Sequence, residues 1–120
     1  MSQCSRLLEV SPYVTKDGSE IRELLHPEHH AVRNQSLAEA RLPPGTITLL
    51  HRHHITEEIY HVTRGRGLMT LGDAVFPVLI GDSILITPGT PHRIENTGWE
   101  ALHILCCCAP AYSHADTELL

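Results

Sequence analysis

Two histidines, His51 and His53, open a stretch that runs on through Glu58, and a third, His92, follows an apolar segment and the turn Thr87-Pro88-Gly89. On a strand, side chains two positions apart share a face, so the imidazoles of His51 and His53 point the same way. Glu58 lies just past a break at residues 54–57 that could return the chain antiparallel, and Glu57 competes with it to face the histidines. Three neutral imidazoles and one carboxylate suit one divalent transition metal ion: Fe, Mn, Cu, Ni, Co or Zn. They suit Mg or Ca poorly, because those ions take oxygen donors. A centre of this kind keeps one or two positions for water, substrate or dioxygen. It permits Lewis-acid work on a carbonyl or enediol oxygen, or oxygen chemistry with a redox-active ion.

The elements that must carry these residues are short. Apolar runs punctuated by Gly and Pro predict strands at 20–25, 37–42, 46–53, 58–63, 67–71, 74–78, 83–87, 92–96 and 101–108. Between them stand turn signals such as Pro43-Pro44-Gly45, Gly72-Asp73 and Gly81-Asp82, where Gly supplies positive φ and Pro a fixed φ. Hairpins are expected at Leu71-Gly72-Asp73-Ala74 and at Asn96-Thr97-Gly98-Trp99. Residues 36–42 contain good helix formers, but seven residues before two prolines are too few for a stable helix, and the segment is read as a strand. Many short strands at regular spacing predict an all-β sandwich or barrel. The termini, residues 1–7 and a C-terminal tail from 111 to 120, read as loosely held.

At 120 residues the chain is a single domain, residues 1–120, with 42% apolar and 19% charged residues. Aromatics make up only 4%, so the core must be built from Leu, Ile, Val and Ala. A net charge of -5 argues against nucleic acid as a partner. No apolar run reaches the ~20 residues of a membrane span, and the first residues lack a signal-peptide layout, so a cytoplasmic location is expected. Cys106, Cys107 and Cys108 are consecutive, which places neighbours on opposite faces of a strand and does not fit a zinc clamp. They read as small buried thiols. His26, His29 and His30 read as a solvated loop, His54 sits at the rim of the site, and His103 and His114 have no evident partners.

The two stretches resemble the two sequence motifs of the cupin superfamily, in its small single-domain bacterial type. Gly45, His51, His53, Glu58 and Gly65 match the first motif, and Gly81, Gly89, His92 and Asn96 match the second. Thr87 stands where the family has proline. The resemblance spans residues 36–108. It implies a cupin-type double-stranded β-helix, a jelly-roll-like antiparallel barrel with a metal on its axis. It also implies a homodimer whose N-terminal strands, including 20–25, lie in the interface. The family spacing to Gly65 selects Glu58 over Glu57. Strand parity then turns Tyr60 and Val62 inward, and Ile59, His61 and Thr63 outward.

His51, His53, Glu58 and His92 are therefore the expected metal ligands, and Tyr60 a substrate or proton contact. Parity from the histidines adds Ile47, Leu49 and Ile94 to the lining, joined by Ile84 and Ile86, with Arg41, Asn96 or a strand cysteine as further polar contacts. Such a pocket suits a small, partly apolar organic acid or carbonyl compound. It lacks the Lys/Arg cluster that a sugar phosphate needs. The leading expectation is a metal-dependent, dioxygenase-type oxidoreductase acting on a small organic substrate. Its rivals are an isomerase, lyase or cyclase using the same ion as a Lewis acid, and a non-catalytic metal- or ligand-binding module.

Overall fold

The computed structural model describes residues 3–120. The strands are β1 (Tyr13–Val14), β2 (Glu20–Leu25), β3 (Ser36–Leu42), β4 (His51–His53), β5 (Glu57–Arg64), β6 (Gly67–Leu71), β7 (Ala74–Val78), β8 (Ser83–Ile86), β9 (His92–Asn96), β10 (Leu102–Ala109) and β11 (Thr117–Leu119). One 3-10 turn, Leu7–Glu9, precedes them. A six-stranded sheet in the order β1-β2-β3-β10-β5-β8 faces a five-stranded sheet in the order β11-β4-β9-β6-β7. Every pairing is antiparallel. This is the expected all-β double-stranded β-helix. Among the described residues no helix is long and apolar enough to cross a membrane.

Alternation sets what each sheet buries. On β10 the inward residues are Leu102, Ile104, Cys106 and Cys108; on β5 they are Glu58, Tyr60 and Val62. Ala38, Ala40 and Leu42 of β3 and Ile84 and Ile86 of β8 fill the same layer, and Met69, Val78 and Ile94 meet it from the other sheet. Each fully buried Ile, Leu or Met stabilises the fold by on the order of 1.5–3 kcal/mol. The small residues Ala38 and Ala40 leave room beneath β3, and a cavity opens there. β3 is a strand despite its helix formers because it pairs on both edges, with β2 and with β10. The two edge pairings outweigh a weak local preference.

Four features depart from the sequence reading. The predicted strand 46–53 is regular only over His51–His53, and Ile47 reaches β9 by a single bridge to Glu95. The breaks at 54–57 and at 96–99 do not make hairpins: β4 and β9 lie in one sheet, and β5 and β10 lie in the other. The hairpin at Gly72-Asp73, by contrast, joins β6 to β7 with Leu71 opposite Ala74. Finally, the tail is not loose. β11 pairs with β4, Lys16 Nζ donates to the carbonyls of His114 and Thr117, and Arg52 pairs with Glu118 at 2.6 Å. The expected loose N-terminus falls partly on residues 1–2, outside the described residues. Within this chain β2 lies between β1 and β3 in its own sheet.

Gly65 shows why the first motif ends on glycine. Its φ is +81°, and a Cβ there would meet the Ala101 carbonyl oxygen at 2.8 Å and the Leu102 Cα at 3.1 Å. Both contacts are backbone and cannot swing aside. Gly65→Ala is therefore expected to lower stability by about 2–4 kcal/mol, from left-handed strain plus overpacking. Urea unfolding checks this; an unchanged midpoint contradicts it.

Candidate metal centre

Each histidine is placed by its own backbone neighbourhood. His51 of β4 stands opposite His92 of β9, and His53 stands opposite Thr117 of β11. The loop that delivers His92 is held at three points. Gly89 N–H donates to the His53 carbonyl at 2.6 Å, Gly72 N–H donates to the Pro91 carbonyl at 2.8 Å, and Thr90 N–H donates to the Thr87 carbonyl at 3.2 Å. Thr87, where the motif expects proline, ties the turn by a hydroxyl contact to Thr90 at 2.7 Å.

His51, His53 and His92 come together as expected, all buried, with ligand nitrogens within 4.8 Å of one another. The ring centres of His51 and His92 are 4.1 Å apart, and each is 5.3 Å from that of His53. Glu58 is buried and Glu57 exposed, in line with the family spacing. Glu58 Oε1 lies 3.1 Å from His53 Nε2 and 3.6 Å from His92 Nε2.

The Nδ1 atoms decide what the Nε2 atoms offer. His51 Nδ1 is 2.7 Å from the Leu49 carbonyl, and His92 Nδ1 is 2.9 Å from the Thr90 carbonyl. A carbonyl only accepts, so both Nδ1 atoms carry hydrogen. Thr117 Oγ1 donates its one hydrogen to the Ser113 carbonyl, so at 2.9 Å it accepts from His53 Nδ1. All three neutral rings therefore turn bare Nε2 lone pairs toward one another. Among the described residues His92 Nε2 is fully buried with no hydrogen-bond partner, and such an orphan is costly in a native core. A divalent transition ion among the three nitrogens fits this donor set and gives that atom its partner.

The cavity beside the histidines has a volume of about 40 Å³. That is room for roughly three waters at ~10–15 Å³ each. Ile94, Tyr60, Cys106 and Cys108 line it as expected. Ile84 and Ile86 are buried but belong to the core alone. Ile47 and Leu49 are about half exposed, and Thr48 takes the inward place. Leu49 N–H leaves the sheet to bond the Asp17 carbonyl, which breaks the expected alternation before His51. Arg41 pairs with Glu20 outside the cavity. Asn96 is buried structurally, its amide donating to the carbonyls of Leu42 and Glu100.

Sequence reasoning missed Asp17, Glu23, Tyr112 and Thr117, which also line the cavity. Burial raises the Glu23 carboxyl above its usual range, opposed by the charge of His26. Tyr60 packs its ring 6.0 Å from that of His92. Burial, with the Glu58 charge behind it, pushes the phenol well above its ordinary range, so it stays an O–H donor at neutral pH. Burial does the same to the Cys106 and Cys108 thiols, and Cys108 S–H donates to Glu58 Oε2 at 3.3 Å. The other histidines have local partners: His26 accepts from Glu28 N–H and bonds the Tyr112 carbonyl, His103 faces Glu39, and His114 bonds Tyr112.

Acid acts on this cluster in one direction. Burial would raise Glu58, but once acid puts protons on the Nε2 atoms of His53 and His92, their hydrogen bonds and positive charge outweigh it and hold the carboxyl at about 2. Burial, helped by the His92 charge, lowers His51 below its ordinary value. In both cases the unfolded chain binds more protons on the acid side. The His51 contribution is therefore lost as pH falls below ~6.5, and that of Glu58 as it falls from ~4.3 toward 2. Protons also compete with the ion for the same nitrogens. Metal affinity and metal-free stability are both expected to fall between pH 7.5 and 5.5, as titration calorimetry and urea unfolding at the two values would show. A flat profile contradicts the assignment.

Residues 38–108 match the cupin domain family, and this chain belongs to it. It is 58% identical over 112 residues to the uncharacterized protein MJ1618 of Methanocaldococcus jannaschii, covering 93% of this chain and 90% of the relative. It is 34% identical over 86 residues to the oxalate-binding protein of Thermotoga maritima, covering 72% of this chain and 71% of that protein. The crystal structure of a predicted oxalate decarboxylase from Thermotoga maritima superposes with a TM-score of 0.78 at 29% identity, covering 88% of this chain and 97% of that one.

Proposed function

We propose that this cupin uses one divalent transition ion, held by His51, His53, His92 and Glu58, to bind and act on a small organic acid. The observation that carries this reading is the set of three buried Nε2 lone pairs turned toward one another beside a cavity of about 40 Å³. Among the described residues no Lys or Arg lines that cavity, so a carboxylate entering it needs the ion as its cationic partner. The likeness to an oxalate-binding relative supports an acid of few atoms. Once bound, the ion supplies Lewis acidity toward a carboxylate or carbonyl oxygen and, if redox-active, electron transfer.

The chain's own groups divide the remaining work. Glu58 supplies the negative charge of the ligand set, and Cys108 S–H fixes its second oxygen. Tyr60 O–H is the donor placed to orient a ligand oxygen. Ile94, Ile104 and Leu42 line the cavity with hydrocarbon, which restricts water around the ligand. Tyr13, Glu23 and Tyr112 supply polar groups elsewhere in the lining.

Calorimetry with oxalate as probe, on Mn(II)-loaded and chelator-stripped protein, tests the reading. Binding by the loaded form alone is expected; equal binding by both forms contradicts it. Oxygenation of the bound acid is the activity ranked first from the sequence. Oxygen uptake coupled to turnover supports it, whereas turnover unchanged under nitrogen assigns the site to Lewis-acid isomerase or lyase chemistry.

A further inference from the structure

We propose that Asp17, from the turn between β1 and β2, is a fifth protein ligand of the ion, supplied from outside both barrel motifs. The inference rests on the metal reading above and adds to its ligand set. Asp17 lies beyond the 38–108 region that the family shares, so nothing in those motifs points to it.

The turn is fixed against the strand it serves. Thr15 N–H donates to the Ser19 carbonyl at 3.0 Å, and Leu49 N–H donates to the Asp17 carbonyl at 2.8 Å. This places Asp17 against Leu49, two residues before His51. Ser19 N–H and O–H both donate to Asp17 Oδ1, at 2.9 and 2.6 Å. The carboxylate is thereby held in one orientation, with Oδ2 3.7 Å from His51 Nε2. Asp17 is buried, at 9% exposure, and lines the metal-side cavity.

His51 Nδ1–H is committed to the Leu49 carbonyl, so as a metal ligand the ring presents a bare Nε2. A lone pair and a carboxylate oxygen then face each other in a buried place with no donor between them, which is unfavourable unless a cation sits there. The spacing suits a shared ion. Two donors each ~2.1 Å from one metal lie at most ~4.2 Å apart, and 3.7 Å is within that reach. Glu58 makes the equivalent approach to His53 and His92, at 3.1 and 3.6 Å. The unpartnered, fully buried His92 Nε2 is the independent sign that a cation belongs in this cluster.

Five protein donors leave one position of a six-coordinate ion. A single open position takes one oxygen of an acid, and does not take substrate and dioxygen side by side. Two carboxylates also neutralise a divalent charge, which would lower the attraction for dianions relative to a four-ligand site.

Mn(II) titration of the full chain, followed by water-proton relaxation, tests the proposal. The wild type is expected to show one exchangeable water on the ion. Asp17→Asn keeps an oxygen for Ser19; it should weaken Mn(II) binding about tenfold or more and add a second water. Two waters on the wild-type ion overturn the proposal without any variant being needed. So does Asp17→Asn with unchanged hydration, whether or not affinity falls, since a loss of affinity alone assigns Asp17 to orienting His51. If wild-type protein binds no Mn(II), or binds it equally after His53→Ala, the metal centre itself has failed. Mn(II) binding that His53→Ala abolishes, together with two waters, defeats the Asp17 assignment alone.

Discussion

His53→Ala is expected to weaken binding of Mn(II), Fe(II) or Zn(II) by more than about 100-fold, beyond the range seen on losing an outer partner of a ligand. His53 Nε2 lies 3.1 Å from Glu58, nearer than His92 Nε2 at 3.6 Å, and its ring faces both His51 and His92 at 5.3 Å. Without it, two of the three imidazoles remain beside the carboxylates, and the ring that, once protonated, holds Glu58 ionised against acid is lost. Metal-free stability in acid should therefore drop as well, because among the described residues the buried carboxylate then keeps the Cys108 thiol as its hydrogen-bond donor. Calorimetry measures the first effect and urea unfolding the second, with circular dichroism to show that the strands persist. Stoichiometric binding at wild-type affinity would move the metal elsewhere.

Thr117→Val is the more discriminating change, since valine nearly matches threonine in shape and leaves the ligands untouched. Thr117 Oγ1 accepts from His53 Nδ1 because its own hydrogen goes to the Ser113 carbonyl. Valine removes that acceptor, frees the ring to rotate or change tautomer, and strands a buried N–H. Loss of such an orienting partner typically lowers metal affinity 10–100-fold, and that is the expected result here, with β11 still paired to β4. Affinity unchanged by the substitution would mean that the tail merely covers the site. The tail would then have no part in tuning it.

Most of the framework was legible because strands and turns announce themselves locally. β2, β6, β7 and β9 have the bounds that alternation and turn residues predict. Glu58 was separable from Glu57 through the cupin motif's spacing to Gly65, and the inward set Glu58, Tyr60 and Val62 follows from one parity choice. What escaped was non-local. Asp17 sits in an ordinary Asp-Gly turn, and its place beside His51 depends on a bond from Leu49 that no local pattern encodes. That same bond breaks the alternation that would have put Ile47 and Leu49 inside. β11 is three residues long, too short to show a period, and it gains its order from β4, Lys16 and Arg52. Two turns read as hairpins instead carry the chain between sheets, a choice that depends on how the whole sandwich closes.

The account's central claim is that His51, His53 and His92 share one cation with Glu58. Anomalous diffraction from crystals of metal-loaded protein, collected at the metal's absorption edge, tests it most directly. A single peak about 2.0–2.2 Å from the three Nε2 atoms and a Glu58 oxygen is the predicted result. A peak at other residues, or none among these histidines in crystals whose elemental analysis shows a full equivalent of metal, would contradict it.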